Sequence, residues 1–269
     1  MDLNSDLGEG YGQWSMGDDT ALLDIVTSAN IACGFHAGDP TTMRRTVEAA
    51  TERGVAIGAH VSYPDRRGFG RYDMDLPLEQ VRDDVVYQIG ALHALARAAG
   101  SGVSYVKPHG ALYNRITTDP ALAHAVVDAI AGFDPALPLL TQPGGAGHDA
   151  ASAAGLPVVA EGFADRGYLL TGRLTPRCEP GAIITDPDLI TRRVLTMCTR
   201  NTVTAGNGQD IELRIDSLCL HGDTPGAVQL ARTIRDALHG AQIPLHPFTP
   251  HTTPARQQTE RQHSSDRQP

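Results

Sequence analysis

The 269-residue chain is poor in aromatic residues and has almost no lysine. Phe, Trp and Tyr together make up 5% of it, which argues against a nucleic-acid surface built from stacked rings. The formal net charge is −9, so the chain lacks the basic footprint that a polyanion or an anionic membrane surface requires. We therefore expect a small molecule or another protein as the partner.

Cysteine pairs and long apolar runs are also missing. The four cysteines are far apart and form no CxxC pair, which argues against a zinc knuckle or a disulfide framework and fits a reducing compartment. The first ten residues lack the basic and apolar regions of a signal peptide. No run approaches the roughly 18 to 20 apolar residues of a membrane span. The sequence predicts a cytoplasmic protein.

The basic residues are 21 Arg and a single Lys, Lys107. Genome composition can replace Lys by Arg wherever only a positive charge is needed, so the one remaining Lys points to a task that Arg cannot perform. An ammonium is a compact point charge, whereas a guanidinium is a wide fork. Chance is the alternative explanation for Lys107.

Short β-rich runs alternate with helical periodicity along the whole chain, which indicates parallel strands joined by helical crossovers. An Asp-Pro pair at Asp39 gives one helix a cap and a first-turn proline. Residues 165–186 and 201–212 are predicted to be irregular. Strands are predicted at 1–6, 30–35, 55–60, 103–107, 137–141, 158–163 and 217–220, with a short last one at 243–245.

We predict the α/β class and a TIM-like (β/α) barrel of seven or eight parallel strands. The alternative is an open doubly wound sheet, which the length near 250 residues and the absence of a GxGxxG motif disfavour. One domain is expected over residues 1–247. Residues 248–269 contain few apolar side chains and are predicted to be a disordered tail.

Acidic and histidine side chains follow most of the predicted strands at their carboxyl ends. Because parallel strands point these ends to one face, the side chains should converge on one rim, where such folds place their sites. Each histidine also lies in a glycine-containing turn. The residues that this placement brings to the rim are Asp6, His36, His60, His109, Asp165, His221 and Asp223.

Two chemistries fit such a rim. Asp and His ligands could hold a divalent metal that activates water, which would make the protein a metal-dependent hydrolase of amides or acetylated sugars. Alternatively, the same groups act as general acids and bases, with Lys107 as an electrostatic clamp for a small carboxylate. The chain contains no GxxxxGK[ST] motif, so a bound nucleotide would not use a P-loop.

Eight motifs, in order along the chain, resemble those of the LamB/YcsF family. They are DLNSDLGEG (2–10), SANIACGFHAGD (28–39), GVAIGAH (54–60), YPDR (63–66), FGR (69–71), VKPHGALYN (106–114), EGFADRGY (161–168) and CLHGD (219–223).

The resemblance implies a barrel of the glycoside hydrolase/deacetylase type. It also implies ATP-dependent ring opening of 5-oxo-L-proline, a cyclic amide, to L-glutamate with ADP and phosphate. The chain would act as one component beside companion 5-oxoprolinase subunits B and C, with Mg²⁺ accompanying the ATP. Two alternatives stay open: a metal-dependent amide hydrolase or deacetylase, and a non-catalytic subunit that binds a lactam and presents it to its partners.

Joining this resemblance to the rim chemistry gives each residue a hypothetical role. Lys107 and Arg166 would hold the substrate carboxylate or a developing phosphate charge, and His60 and His109 would transfer protons. Asp6 would assist them, so that the expected catalytic set is Asp6, His60, Lys107 and His109. The expected substrate-binding set is Glu9, His36, Asn114, Asp165, Arg166, His221 and Asp223, and Asp6, Glu9, His36 and Asp223 could instead hold a metal.

Overall fold

The computed structural model describes residues 1–222 and 226–249, which contain nine strands. Seven of these strands, all but β7 and β8, are parallel and close into a barrel in which β9 pairs with both β6 and β1. The barrel prediction is confirmed, with seven strands. The strands are β1 (Asp2–Leu7), β2 (Ser28–Ala32), β3 (Ala56–Val61), β4 (Tyr105–Pro108), β5 (Leu139–Thr141), β6 (Val158–Phe163), β7 (Thr202–Thr204), β8 (Asp210–Glu212) and β9 (Ser217–Leu220).

Eight helices accompany the strands within the described residues. Three of them, α2, α5 and α7, begin with an Asp-Pro pair whose carboxylate accepts hydrogen bonds from first-turn N–H groups. Outward-facing strand residues such as Leu3, Ile31 and Ile57 are fully buried in the main apolar core. The helices are α1 (Asp19–Leu23), α2 (Pro40–Glu52), α3 (Leu78–Ala98), α4 (Gly110–Arg115), α5 (Pro120–Phe133), α6 (Ala146–Ala153), α7 (Pro187–Arg200) and α8 (Ala227–Gly240).

Several predicted elements are wrong in kind or extent. Residues 201–212 are not irregular throughout, because β7 and β8 form an antiparallel hairpin there. Residues 243–245 form no strand; the chain runs instead beside the N-terminus, where the Met1 ammonium donates to the Pro244 carbonyl. The strand predicted at 30–35 starts at Ser28 and ends at Ala32, because Gly34 turns the chain with a φ of +90°.

The inside of the barrel is polar along β1. Asp2, Asn4 and Asp6 alternate along β1, as expected for side chains that share one face of a strand. Asn4 Nδ2 donates to Ser217 Oγ at 2.7 Å, and Asn30 Nδ2 donates to Asn4 Oδ1 at 2.7 Å and to Asp6 Oδ1 at 2.8 Å. This ladder of hydrogen bonds runs up to Asp6 and fixes its carboxylate in place.

An aromatic contact lies inside the barrel beside the polar ladder, where the Tyr105 hydroxyl donates to Asn30 Oδ1 at 2.7 Å. The ring of Tyr105 fills the space opposite Gly58, where an added Cβ would lie 2.2 Å from that ring. Phe248 packs edge-on against Tyr105, with 4.8 Å between ring centroids. Of the predicted disordered tail, residues 250–269 lie outside the described residues, and so does the predicted site residue Asp223.

Candidate active site

Lys107 lies between two carboxylates at the floor of the site. Its Nζ is 2.9 Å from Asp6 Oδ1 and 2.8 Å from Glu161 Oε1, so that β4 is tied to both β1 and β6. It also donates to Asn4 Oδ1 and to Cys219 Sγ, each at 3.3 Å. Because the Lys107 side chain is only 3% exposed, a compact ammonium fits this ring of acceptors where a planar guanidinium would not.

The charges at the floor stabilise one another. Burial would lower the pKa of Lys107, but the negative charges around it, above all that of Asp6, raise its pKa well above the ordinary value. Burial would likewise raise the pKa of Asp6, but its interactions with His60 and Lys107 hold it well below its ordinary value. The Asp6 carboxylate and the Lys107 ammonium are therefore both charged at neutral pH.

Above the floor, His60 and His109 form a close pair of imidazoles. Parallel pairing sets His60 beside Lys107 in the sheet, and His109 follows directly after β4. His60 Nε2 and His109 Nδ1 are 2.9 Å apart, and the two rings are nearly perpendicular at 87°. His60 Nδ1 lies 3.1 Å from the Lys107 carbonyl oxygen and His109 Nε2 lies 2.9 Å from that of Phe69.

Glu9 and His36 complete this layer of the site. Glu9 Oε1 is 3.3 Å from His36 Nε2 and 3.8 Å from His109 Nδ1. The rings of His36 and His109 stack with 3.9 Å between centroids and 6° between planes. Burial lowers the pKa of both His36 and His109 well below the ordinary value, and the charges of neighbouring histidines lower it further. Both rings are therefore neutral at physiological pH.

Two glycines let the loop after β3 approach this layer. Gly70 has a φ of +67°, and a Cβ there would lie 2.7 Å from the His109 ring. Gly110 has a φ of +56°, and a Cβ there would lie 2.3 Å from the Gly70 carbonyl oxygen. The N–H of Ala111 donates to that oxygen at 2.8 Å. The FGR and KPHG motifs thus pack against each other through their glycines.

A second acid and imidazole pair lies farther out. His221 Nδ1 is 2.8 Å from Asp165 Oδ1, and Arg177 Nη2 lies 3.2 Å from His221 Nε2. Arg166 holds the loop over residues 165–186, since its guanidinium donates to the backbone carbonyls of Ala182 and Thr175 at 3.0 and 2.7 Å. Burial and the nearby charge of Arg177 lower the pKa of Arg166 to about 10, so it remains a cation at neutral pH.

These groups line a small pocket of about 50 Å³. One water needs roughly 10–15 Å³ on the same measure, so the pocket has room for a few small groups. Asp6, Glu9, His60, Lys107 and His109 form its base. Arg71, Arg166 and Arg177 also line it, and both Arg71 and Arg177 are exposed. A small anion with a polar reactive end matches this distribution of charge.

The structure brings most of the predicted rim residues together. The pocket is lined by all four predicted catalytic residues and by the predicted binding residues Glu9, Asn114, Arg166 and His221. His36 and Asp165 lie behind it, in contact with Glu9 and His221 respectively.

Sequence reasoning misses four contributors to the site. Glu161 is missed because it lies within β6 rather than after it. Asn4 is missed because a side-chain amide is neither an acid nor a base and so does not stand out as a candidate catalytic group. Arg71 and Arg177 lie in loops whose approach to the pocket only the fold decides. Three of the four lie in motifs that could have indicated them: Asn4 in DLNSDLGEG, Arg71 in FGR and Glu161 in EGFADRGY.

Two clusters in the described part of the chain have ligand atoms close enough to share a metal ion. Glu9, His36, His60 and His109 form one, and Asp6, Cys219 and His221 form the other; within each cluster the ligand atoms lie within 4.8 Å of one another. Burial raises the pKa of Cys219 well above its ordinary value, so this thiol is protonated at neutral pH and is a weak ligand. The imidazole and carboxylate set suits a borderline divalent ion such as Zn²⁺ better.

The fold and the site define a parallel α/β barrel with a buried acid, lysine and histidine cluster at the carboxyl ends of its strands. The LamB/YcsF family profile matches residues 1–253. The chain belongs to the LamB/YcsF family, as its eight motifs predict.

Named relatives and a solved structure agree with this assignment. Proteins named as the A subunit of 5-oxoprolinase, from Mycolicibacterium paratuberculosis and Streptomyces avermitilis, are each 55% identical over 92% of this chain, which covers 98% and 99% of their lengths. The crystal structure of a lactam utilization protein from Thermus thermophilus has a TM-score of 0.88 and 45% identity, covering 92% of this chain and 99% of that one.

Membrane insertion through a helix finds no support in the fold. Among the residues that the structure describes, every helix is too short or too polar to cross a bilayer.

Proposed function

We propose that this chain is the A subunit of a three-component 5-oxoprolinase. The assembly would open 5-oxo-L-proline to L-glutamate while hydrolysing ATP to ADP and phosphate, together with companion subunits B and C. The names of its relatives support the reaction, and one observation on the site supports assigning that reaction to this chain. Three arginines line the pocket above a base of imidazoles and carboxylates. This combination of groups matches a small carboxylic acid that also contains a lactam.

The substrate explains why ATP is consumed. A five-membered lactam is stabilised by resonance and its amine is a poor leaving group, so water attacks it slowly without activation. Transfer of the γ-phosphoryl group to the lactam oxygen forms a C–O–P linkage, releases ADP and leaves a carbon that water adds to. The C–N bond then breaks as its nitrogen takes a proton, which leaves an acyl phosphate. A second water hydrolyses the acyl phosphate to L-glutamate and phosphate.

The pocket residues divide this work by position. His60 and His109 lie at the base of the pocket, with 2.9 Å between their facing nitrogens, and are placed to transfer protons to and from the reacting groups. Arg71, Arg166 and Arg177 supply positive charge for the substrate carboxylate or the developing phosphate charge. Lys107 already contacts Asp6 and Glu161, and we assign it the task of fixing Asp6 beside His60, where Oδ1 and Nε2 are 3.3 Å apart.

The test is release of L-glutamate from 5-oxo-L-proline. The chain is assayed alone and with both companion subunits, with and without ATP, and each mixture is repeated after treatment with a chelator. We expect glutamate only in the full mixture with ATP. A silent full mixture, beside a chain that by itself cleaves amides in a chelator-sensitive way, would refute the proposal in favour of the metal-dependent amide hydrolase or deacetylase.

A single substitution separates catalysis from presentation of the substrate. His109→Ala is expected to abolish turnover while assembly with the partners and binding of 5-oxo-L-proline, measured by calorimetry, remain. His239→Ala removes an exposed histidine at the end of α8 and serves as the matched control. Loss of ligand binding in His109→Ala without a separate catalytic defect would instead support a non-catalytic lactam-binding subunit.

A further inference from the structure

The hydrogen bonds of His60 and His109 fix the position of their protons. A backbone carbonyl oxygen can only accept, so the nitrogen that faces it must carry the hydrogen. His60 Nδ1 faces the Lys107 carbonyl at 3.1 Å, and His109 Nε2 faces the Phe69 carbonyl at 2.9 Å. In the neutral rings, the nitrogens that remain, His60 Nε2 and His109 Nδ1, both carry lone pairs.

These two lone pairs point at each other across 2.9 Å. Two carboxylate oxygens lie beside them: Asp6 Oδ1 is 3.3 Å from His60 Nε2, and Glu9 Oε1 is 3.8 Å from His109 Nδ1. The Lys107 ammonium, 2.9 Å from Asp6 Oδ1, already compensates the Asp6 carboxylate. The ligand atoms of Glu9, His60 and His109 lie within 4.8 Å of one another. Two nitrogen lone pairs that face each other across 2.9 Å repel unless a cation or a shared proton lies between them.

We propose that a divalent transition-metal ion binds there, held by His60 Nε2, His109 Nδ1 and Glu9 Oε1. Tetrahedral ligands at roughly 2.0–2.1 Å from Zn²⁺ are about 3.3–3.4 Å from one another. The observed separations of 2.9 and 3.8 Å lie on either side of that value. The near-perpendicular rings of the two histidines also let both lone pairs meet at one point.

His36 is close to this site but is not a ligand in this arrangement. Its ring is parallel to that of His109, 3.9 Å away, and two parallel rings cannot direct their in-plane lone pairs at the same ion. Three protein ligands of the His₂Glu type leave a fourth position open, as in catalytic zinc sites. Because Glu9, His60 and His109 line the pocket and His36 does not, that position faces the pocket.

The backbone carbonyls behind the two histidines are the outer partners that such sites use to orient their ligands. A bound ion supplies polarisation of a carbonyl oxygen or acidification of a water. With an ion in place, the lone pairs of both imidazoles would be occupied, so neither ring would accept a proton. The inference rests on the geometry of these side chains and does not require the proposed 5-oxoprolinase activity.

The experiment titrates the full-length chain alone, freed of metal, with Zn²⁺ by calorimetry and with Co²⁺ by visible absorption. We expect one ion per chain and the absorption of Co²⁺ in low-symmetry nitrogen and oxygen coordination. His109→Gln and Glu9→Gln should each weaken binding at least about a hundredfold, since loss of an outer-shell partner already costs roughly 10- to 100-fold. Circular dichroism and the Tm of each variant check that it is folded.

Two matched variants locate the ion. Cys219→Ser, in the neighbouring cluster, and His239→Ala, on the surface, should bind Zn²⁺ as the unaltered chain does. If the chain does not bind Zn²⁺ stoichiometrically, the proposal is overturned, and a proton shared between the two imidazoles explains their close approach instead. Loss of binding in Cys219→Ser, or unchanged binding in both ligand variants, would overturn it as well. If the chain binds Zn²⁺ tightly but the reconstituted mixture releases no glutamate, only the proposed function is refuted, because ion binding is measured without substrate.

Discussion

Replacing Lys107 with Met tests the charge balance at the floor of the pocket. Met retains most of the volume of the lysine stem but removes the ammonium from between Asp6 and Glu161, which lie 2.9 and 2.8 Å from it. The side chain of Glu161 is fully buried, so water cannot take the place of the lost partner. The variant is left with buried carboxylates and no cation between them.

The expected cost follows from the burial of this group. Removing one partner of a buried ion pair typically destabilises a protein by about 3–5 kcal/mol, because the remaining charge stays uncompensated. For a domain of this size, 1 kcal/mol corresponds to about 2–4 °C in Tm. Lys107→Met should therefore lower the Tm by roughly 6–20 °C, provided that the chain still folds.

The assay is thermal unfolding followed by circular dichroism, with urea unfolding as a second measure of the free energy of unfolding. Lys107→Met combined with Glu161→Gln should recover stability, because the double variant removes a charge of each sign. Arg44→Met is the surface control: its pair with Glu48 is 2.6 Å long, but the two side chains are 48% and 46% exposed, so less than about 1 kcal/mol should be lost. A Lys107→Met loss as small as that of Arg44→Met would refute the reasoning.

The remaining predictions concern activity, packing and pH. Lys107→Arg should abolish glutamate release by the reconstituted assembly, and full activity would show that any cation serves at the floor. Gly58→Ala should lower the free energy of unfolding by at least about 1–3 kcal/mol, since its Cβ would lie 2.2 Å from the Tyr105 ring. Gly132→Ala in α5, where nothing lies within 4 Å of the added Cβ, should instead raise it by about 0.5–1 kcal/mol. Equal urea midpoints for the two variants would contradict this contrast. Asp39 caps α2, and hydrogen bonds from backbone N–H groups, that of Gly12 foremost, lower its pKa to about 2. Asp39→Ala should cost about 0.5–2 kcal/mol. The pKa of Asp39 is lower in the folded chain than the unfolded value of 3.8. The charge-dependent part of the cost of Asp39→Ala should therefore be constant above pH 3.8 and vanish as the pH falls through about 2. Urea unfolding at pH 7, 5 and 3 measures this change. A cost that grows below pH 3.8 would refute it.

Local signals predict most of the secondary structure correctly. The strands at 158–163 and 217–220 have the predicted bounds, and the helix after Asp39 begins at the Asp-Pro pair. The short helix α4 has no caps or periodicity long enough to be detected, and the β7–β8 hairpin lies in a segment rich in Gly and Asn that also suits a loop. These misses arise where short elements depend on their packing rather than on their own sequence.

The site shows the same division. Histidines and carboxylates placed after successive strands are enough to predict one shared rim, because parallel strands all end on the same side. Their contacts depend on register and on loop packing. His60 lies beside Lys107 because β3 pairs with β4 in that register, and His109 reaches His60 because Gly70 and Gly110 let two loops approach closely.

The sequence by itself determined the family, the barrel class and most of the polar residues at its rim, since these follow from motif order and strand periodicity. Only the tertiary structure decided that Lys107 lies between Asp6 and Glu161, because closure of the barrel brings β4, β1 and β6 around one interior. It also decided that the lone pairs of His60 and His109 meet, because carbonyl groups distant in sequence fix their protons. Distances of a few ångströms between residues about 50 to 100 positions apart depend on packing, which strand periodicity and motif spacing do not encode.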